Sequence, residues 1–337
     1  MTHVTSAPAA RTSFSNRIIA VAAKPEALGA AILIVVVLAF QALSGGILLS
    51  PYNVSNVLAV LPEIGLVVIG VSILMIAGEF DLSVGSVFAL TPMIAFTLAE
   101  SGLPISLTLA IAMACSLIVG FINGYITQVY RLPSFITTLG MLFVVRSITV
   151  SVSDGFPPPF AADAPTFLFS DFIGPVRVSM IWFFLLFALA AFGLKLTNYG
   201  LWVYATGGQR EVAKSVGINT FRVKMAAFML CSALAGFAGL LQVFRLRSPL
   251  PSLGEGLELQ VIAAAVIGGV ALTGGVGSVI GAVLGLLLLK VIENGLILVG
   301  VEANWFKFAT GSIMIVAVIL HASIAKYAKT NAAGDDK

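Results

Sequence analysis

Ala31-Ile-Leu-Ile-Val-Val-Val-Leu-Ala-Phe40 is an unbroken apolar run with no polar residue at alternate positions. A strand with one wet face alternates with period two, and a membrane β-barrel needs segments of about ten such alternating residues. This run offers no wet face of that kind. It lies in an apolar stretch over residues 27–49, long enough for a helix to cross about 30 Å of hydrocarbon. The run over 284–289 lacks alternation in the same way. Lipid supplies no partner for backbone N–H and C=O groups, so spanning segments are helices or closed barrels. The expectation is therefore an all-α, polytopic membrane helical bundle.

The rest of the composition agrees. Of 337 residues, 59% are hydrophobic and 10% charged, with a mean hydropathy of +1.08, whereas soluble domains carry roughly 25% charged residues. A net charge of +3 without a basic tract or an RNA-binding aromatic motif does not imply a nucleic-acid partner, and none is expected. Cys115 and Cys231 lie in apolar runs and read as packing residues, and His3 and His321 lie near the termini, so no metal site is expected. No G-x-x-x-x-G-K-[ST] is present, so the chain does not cradle ATP phosphates itself. With no H-E-x-x-H or G-x-S-x-G either, it reads as a non-enzyme without a cofactor of its own.

Ten helices are expected, at 28–48, 60–78, 83–100, 104–129, 134–152, 179–197, 222–246, 258–273, 277–299 and 304–324. Their connectors hold the usual breakers, among them Pro51, Pro104, Pro133, Asn198-Tyr-Gly200 and Gly274-Gly275. The short segments 83–100 and 258–273 are candidates for broken or re-entrant helices, tolerated at membrane depth only when protein surrounds them. The stretch 27–49 is too long for a signal peptide. This gives an N-terminal tail over 1–26, a membrane domain over 27–325 and a C-terminal tail over 326–337. With the N-terminus inside, Arg11, Arg17, Lys24, Arg131, Lys195, Arg210, Lys214, Arg222, Lys224, Lys326, Lys329 and Lys337 fall in the cytoplasm. Only Arg177, Arg245, Arg247 and Lys307 fall outside. This bias predicts that both termini are cytoplasmic.

The same topology puts the loop over 198–221 in the cytoplasm. Within it, Gly207-Gly208 permits a sharp turn at positive φ, residues 209–216 suit two helical turns, and Gly217 suits a left-handed cap. Arg210, Glu211 and Lys214 supply charge, and Val212, Ala213 and Val216 a small apolar face. Two readings stand: a helix that docks in a partner's cleft, and an ordinary hydrophilic turn.

Glu211-Val-Ala213 followed by Gly217 resembles the Glu-Ala-Ala…Gly loop of ABC importer permeases, with Val212 for the usual Ala. Gly207-Gly208…Ala213…Gly217-Ile218-Asn219…Arg222…Lys224 is similar to the ribose/xylose/arabinose-type sugar ABC transporter permeases, within the branched-chain amino acid/sugar permease superfamily. So is Gly78-Glu-Phe-Asp-Leu-Ser-Val-Gly85, where Glu79 and Phe80 replace the family's Gly-Ile. Leu132-Pro-Ser-Phe-Ile-Thr-Thr-Leu-Gly140 with Arg146 also fits, as do the motif over 258–269, Gly274-Gly-x-Gly277 and Asn294-Gly295. The matches run in order over residues 55–320. The resemblance implies a type II ABC importer-like bundle of about ten transmembrane helices with a cytoplasmic coupling helix, in the bacterial inner membrane. It implies a second permease subunit (homo- or heterodimer), two cytoplasmic ATP-binding subunits that hold ATP and Mg, a periplasmic substrate-binding protein, and as substrate a monosaccharide or related small polar solute such as a polyol or a furanosyl signal molecule. The coupling residues would be Gly207, Gly208, Arg210, Glu211, Ala213, Lys214 and Gly217. The alternatives are a branched-chain amino acid permease and, in another class, an ion-coupled secondary transporter. The latter needs an intramembrane carboxylate relay, for which Glu63 and Glu293 are too few.

Further candidates follow from residue type. Asp81 and Ser83 precede an apolar run, where either suits a helix N-cap; with Glu79, Phe135, Thr138 and Asn294 they are also candidates for a broken helix lining the pathway. Charge inside a membrane is costly and tends to be paired or to face a cavity. Arg146 therefore suits a pairing with Glu293, and Lys290 at i, i−3 is the other partner for that carboxylate. Gly277, Gly281 and Gly285 form a small-residue face for close helix packing, within the chain or with a second subunit. Asp154, Asp163, Arg245, Arg247, Glu255 and Glu258 are candidates for docking the binding protein. Val84-Gly-Ser-Val87 recurs as Val276-Gly-Ser-Val279, and Asn123-Gly124 as Asn294-Gly295, a faint echo of the internal repeats found in transporters.

Overall fold

The computed structural model describes residues 25–302 and residues 305, 308, 311, 312, 315 and 319. The tail over 1–24, most of the helix expected at 304–324 and the tail over 326–337 lie outside the described residues. The helices are α1 (Pro25–Leu43), α2 (Pro51–Ile76), α3 (Val84–Glu100), α4 (Ile105–Val129), α5 (Ser134–Ser151) and α6 (Thr166–Phe169). After a two-stranded antiparallel ribbon, β1 (Phe172–Ile173) and β2 (Val176–Arg177), come α7 (Val178–Leu196), α8 (Asn198–Gly208), α9 (Arg210–Ser215), α10 (Thr220–Leu246), α11 (Leu257–Ile267) and α12 (Val279–Leu298). The chain is a polytopic helical membrane bundle. Among the described residues α2, α4, α5, α7, α10 and α12 are long and apolar enough to cross a membrane. At a rise of about 1.5 Å per residue, the 11 residues of α11 reach only about half-way through the hydrocarbon.

Three boundaries differ from expectation. Pro51 is not a breaker but the first residue of α2, where its missing N–H costs nothing; the Ser50 hydroxyl caps the turn by accepting from Asn53 N–H at 3.4 Å. Asn198-Tyr-Gly200 is not a connector but the start of α8, capped by the Thr197 hydroxyl accepting from Gly200 N–H at 3.4 Å. The segment expected at 258–273 stops at Ile267, because Gly269 turns the backbone to φ +87°.

The most buried spans are α2 and α10, and α10 packs against α2, α3 and α4. Lipid is as apolar as leucine, so close packing rather than hydrophobicity draws such helices together. The contacts show it. A Cβ on Gly239 of α10 would overlap the Phe88 carbonyl oxygen of α3, and one on Gly70 of α2 would lie 3.0 Å from the Cys231 Cα. Bulky side chains such as Phe143, Phe184 and Phe192 are exposed on the outside, where lipid replaces water. Cys115 and Cys231 are free thiols.

Residues 77–83, between α2 and α3, interrupt the helical backbone, with φ +81° at Gly78. Two of their donors find partners on α5. Phe80 N–H donates to the Ser134 hydroxyl and Leu82 N–H to the Thr138 hydroxyl, each at 3.0 Å. The spacing matches because two extended residues advance about 6.6 Å and four helical residues about 6 Å. A second interruption, 268–278, separates α11 from α12. Val84-Gly-Ser-Val87 and Val276-Gly-Ser-Val279 therefore both lie where a helix resumes after a break. Asn123 lies in the helix after α3, whereas Asn294 lies within α12 itself, so that second pair of motifs is not equivalent.

Two outcomes are expected for the purified protein in detergent. Gly239→Val will prevent α10 from seating on α3 and sharply lower the melting temperature, whereas Gly193→Ala, whose Cβ meets nothing within 4 Å, will leave it unchanged or raise stability by up to about 1 kcal/mol. Thr138→Val, which strands the Leu82 N–H, will cost about 1–3 kcal/mol in reversible unfolding; a neutral Thr138→Val would remove the role given to this hydroxyl.

Candidate functional site

The break over 77–83 delivers Glu79 and Asp81 into the bundle. Asp81 is fully buried. Its Oδ1 accepts from the Ser83 N–H at 2.8 Å and the Ser83 hydroxyl at 2.6 Å. The Asn123 amide of α4 reaches its Oδ2 at 3.3 Å, and the Ser232 hydroxyl of α10 lies at 3.5 Å. Asn123 also donates to the Ser83 hydroxyl at 2.9 Å. No ion pair to Asp81 is found among the described residues, and Asn123 Oδ1 has no partner. Neither acid nor hydroxyl caps α3: Ser83 occupies the N-cap position without a side-chain cap bond, because Asp81 holds its hydroxyl. Ser232 lies 12 residues into α10, about 18 Å along its axis, so the cluster sits deep in the bundle.

Glu79 lies toward the α9 end of the bundle. Its Oε1 accepts from Lys224 Nζ at 2.6 Å and from the Gln128 side-chain amide at 3.0 Å. Gln128 Oε1 in turn accepts from Arg210 at 2.9 Å. All but Arg210 are buried. Lys224, counted above with the cytoplasmic charges, is thus one turn inside α10.

The two breaks and the α8–α9 turn meet at a junction of glycines. Gly275 N–H donates to the Ile76 carbonyl at 2.8 Å. A Cβ on Gly207 would overlap that carbonyl, one on Gly274 would lie 2.7 Å from the Gly78 Cα, and one on Gly275 would overlap the Gly208 Cα. Gly207 and Gly208 are not the positive-φ turn expected. They close α8 in ordinary helical conformation, and what they supply is absence of bulk.

Beyond Gln209, α9 is a six-residue helix with a Schellman end: Ile218 N–H bonds the Ala213 carbonyl, Gly217 N–H bonds the Lys214 carbonyl, each at 3.0 Å, and Gly217 adopts φ +87°. Ala213 is buried within the chain, so Val212 and Val216 form the exposed apolar face. Glu211 pairs with Lys214 at 2.8 Å, and that ammonium holds its carboxyl below the ordinary range. A cleft of about 370 Å³ beside the helix is lined by Gln128, Arg131, Arg210, Glu211 and Lys214.

Other candidates lie elsewhere. Arg146 does not reach Glu293. Its guanidinium donates to the carbonyls of Pro251 (2.7 Å), Leu253 (2.9 Å) and Gly85 (3.1 Å), tying α5 to the loop before α11, while Glu293 takes Lys290 at 2.8 Å. Phe135 is 54% exposed on the outer face of α5, away from the break; Asn294 is half-buried, and its amide nitrogen has no partner among the described residues. Gly281 and Gly285 leave no room for a side chain against the backbone at Gly268 and Ala264, and Gly277 abuts Val270, so this face packs on α11 and its following loop. At the far end of α10, Arg245 pairs with both carboxylate oxygens of buried Glu63 and also lines an open cleft. Arg247 is exposed and shares an open cleft of about 510 Å³ with Arg177 and Asp171. Asp154, Asp163 and Glu255 are exposed, and Glu258 is half-buried near Gly85. Sequence reasoning missed Gln128, Lys224, Ser134 and Ser232 as site residues. Their signal was a polar side chain at or inside the edge of an apolar run.

The family model described as "Branched-chain amino acid transport system / permease component" matches residues 53–318. Ribose import permease protein RbsC of Escherichia coli (strain K12) is 32% identical over 272 residues, covering 80% of this chain and 85% of its own. Galactose/methyl galactoside import permease protein MglC of the same strain is 33% identical over 323 residues, covering 89% and 95%. Probable ABC transporter permease protein y4mJ of Sinorhizobium fredii (strain NBRC 101917 / NGR234) is 35% identical over 281 residues, covering 83% and 82%. No solved structure matches. A bundle with two interrupted spans, matched over most of its length in this way, belongs to the branched-chain amino acid transport system / permease component family.

Proposed function

We propose that this chain is the membrane-spanning permease subunit of an ABC importer for a monosaccharide or a related polyol. It would act as one of two permease subunits in the inner membrane, with both termini cytoplasmic. Two separate ATP-binding subunits would carry ATP and Mg, and a periplasmic binding protein would deliver the substrate. The observation that carries this reading is the glycine junction: the turn before α9 lies backbone to backbone against both interrupted spans. A push on α9 cannot be absorbed by side-chain rotation there. It moves the breaks.

The substrate class is supported by the ribose and galactose permeases among the relatives. The Asp81–Ser83–Asn123–Ser232 cluster fits the same class, offering hydroxyls, an amide and a carboxylate, the groups that exchange hydrogen bonds with a sugar's hydroxyls. The α9 helix, with exposed Val212 and Val216 framed by Glu211 and Lys214, suits a groove on the ATP-binding subunit. At the opposite end, Arg177 and Arg247 offer cationic contacts to an acidic patch on the binding protein, where complementary charge steers encounter. ATP shifts the pathway between outward and inward access by binding one state better than the other.

In proteoliposomes containing the whole complex, binding protein loaded with a monosaccharide is expected to stimulate both ATP hydrolysis and uptake; stimulation by leucine instead would move the chain to the amino acid branch. Glu211→Lys is expected to leave membrane insertion intact while lowering both retention of the ATP-binding subunit on purification and uptake; normal uptake by this variant would mean that α9 is not the contact. Arg247→Glu is expected to slow stimulation by the binding protein at low salt, with the difference from the parent shrinking as salt screens the contact over about 10 Å at 0.1 M.

A further inference from the structure

Lys224, Glu79, Gln128 and Arg210 form one continuous polar line from α10, through the break, through the end of α4, to the first residue of α9. Such a line is not explained by stability. Burying an ion pair costs desolvation that its Coulomb energy often fails to repay, and an apolar pair is frequently as stable. What a buried polar line supplies is direction. Gln128 has one acceptor and one donating group at the ends of one rigid amide. With Oε1 held by Arg210, its nitrogen has to face Glu79. Arg210 is half-buried in the cleft beside α9, with no partner for its Nε among the described residues, so the outer end of the line opens on the cleft while the inner end is enclosed. The Arg210–Gln128 bond is 2.9 Å, and a displacement of about 1 Å at the start of α9 carries it past hydrogen-bonding range. Gln128 is then free to turn, and Glu79 loses one of its two donors inside the bundle.

We propose that Gln128 and Lys224 are positioning residues for transport, acting through Glu79. In this role the line reports the position of α9 to the break over 77–83, in parallel with the steric contact at the glycine junction. The proposal rests on reading α9 as the contact for the ATP-binding subunit. It assigns a purpose to Glu79 that the resemblance did not supply.

The test uses the assembled permease and ATP-binding subunits in proteoliposomes with the loaded binding protein, comparing the parent with Gln128→Leu, with Glu79→Gln/Lys224→Met, and with the triple variant. The ratio of stimulated to unstimulated ATP hydrolysis, and uptake per ATP, are expected to fall about tenfold in each, with the ATP-binding subunit still retained. The triple variant is expected to be no worse than either parent variant, because cutting one line twice adds nothing. Lys224→Arg, which keeps the ion pair, is expected to retain most of the stimulation. Ratios within twofold of the parent in assembled complexes would overturn the proposal, and so would losses that multiply in the triple variant. Should Gln128→Leu fail to assemble, the double variant decides by the same ratio. If the parent chain itself does not retain the ATP-binding subunit, the permease reading fails, and the line falls with it.

Discussion

An interrupted helix in lipid has backbone donors and no water to take them. Two hydroxyls beside residues 77–83 answer that constraint. The Ser134 and Thr138 hydroxyls accept from Phe80 and Leu82, because the rise of four helical residues matches two extended ones. Once α5 is fixed by those bonds, Arg146 on its far half reaches the carbonyls that hold the loop before α11. The break is thus what aligns α5, α3 and α11 with one another, and it places one acid, Asp81, deep in the bundle and another, Glu79, near its α9 end.

Close packing supplies the second half of the design. The described helices share no hydrophobic drive against lipid, so they meet where side chains are missing. Along α10 this gives a tight core. At Gly78, Gly207, Gly208, Gly274 and Gly275 it brings three connections into backbone contact. A junction without side chains has little compliance, which is why an exposed six-residue helix can bear on two membrane breaks at once. The buried ion pairs Glu63–Arg245 and Glu79–Lys224 stand at opposite ends of α10. Each fixes the approach of α10 to the α2 segment, at a desolvation cost that apolar residues would have avoided.

Much of this was legible in the chain. Apolar runs without alternation gave the helices, and Gly217 gave the end of α9, because a left-handed cap is a local demand that one residue type meets best. The misreadings share a cause. Pro51 and Asn198 looked like breakers, yet both open helices, since the same residues that end a helix are tolerated in its first turn. Gly207-Gly208 looked like a turn because a glycine needed for space and one needed for positive φ are identical in sequence. Arg146 looked like a partner for Glu293 because charge invites a charge; its real partners are three carbonyls, which carry no sequence signature.

The sequence by itself determined the class: a helical membrane bundle with a small charged loop, and ordered motifs shared with a permease family. Hydropathy and local caps depend on neighbours a few residues away, and those neighbours are printed in the chain. The tertiary structure decided which polar groups meet. Glu79 and Lys224 are 145 residues apart in sequence and Asp81 and Ser232 are 151 apart. Their encounter depends on how α2 and α10 cross, a geometry set by where glycines allow backbones to touch and where a broken span must borrow its hydrogen bonds.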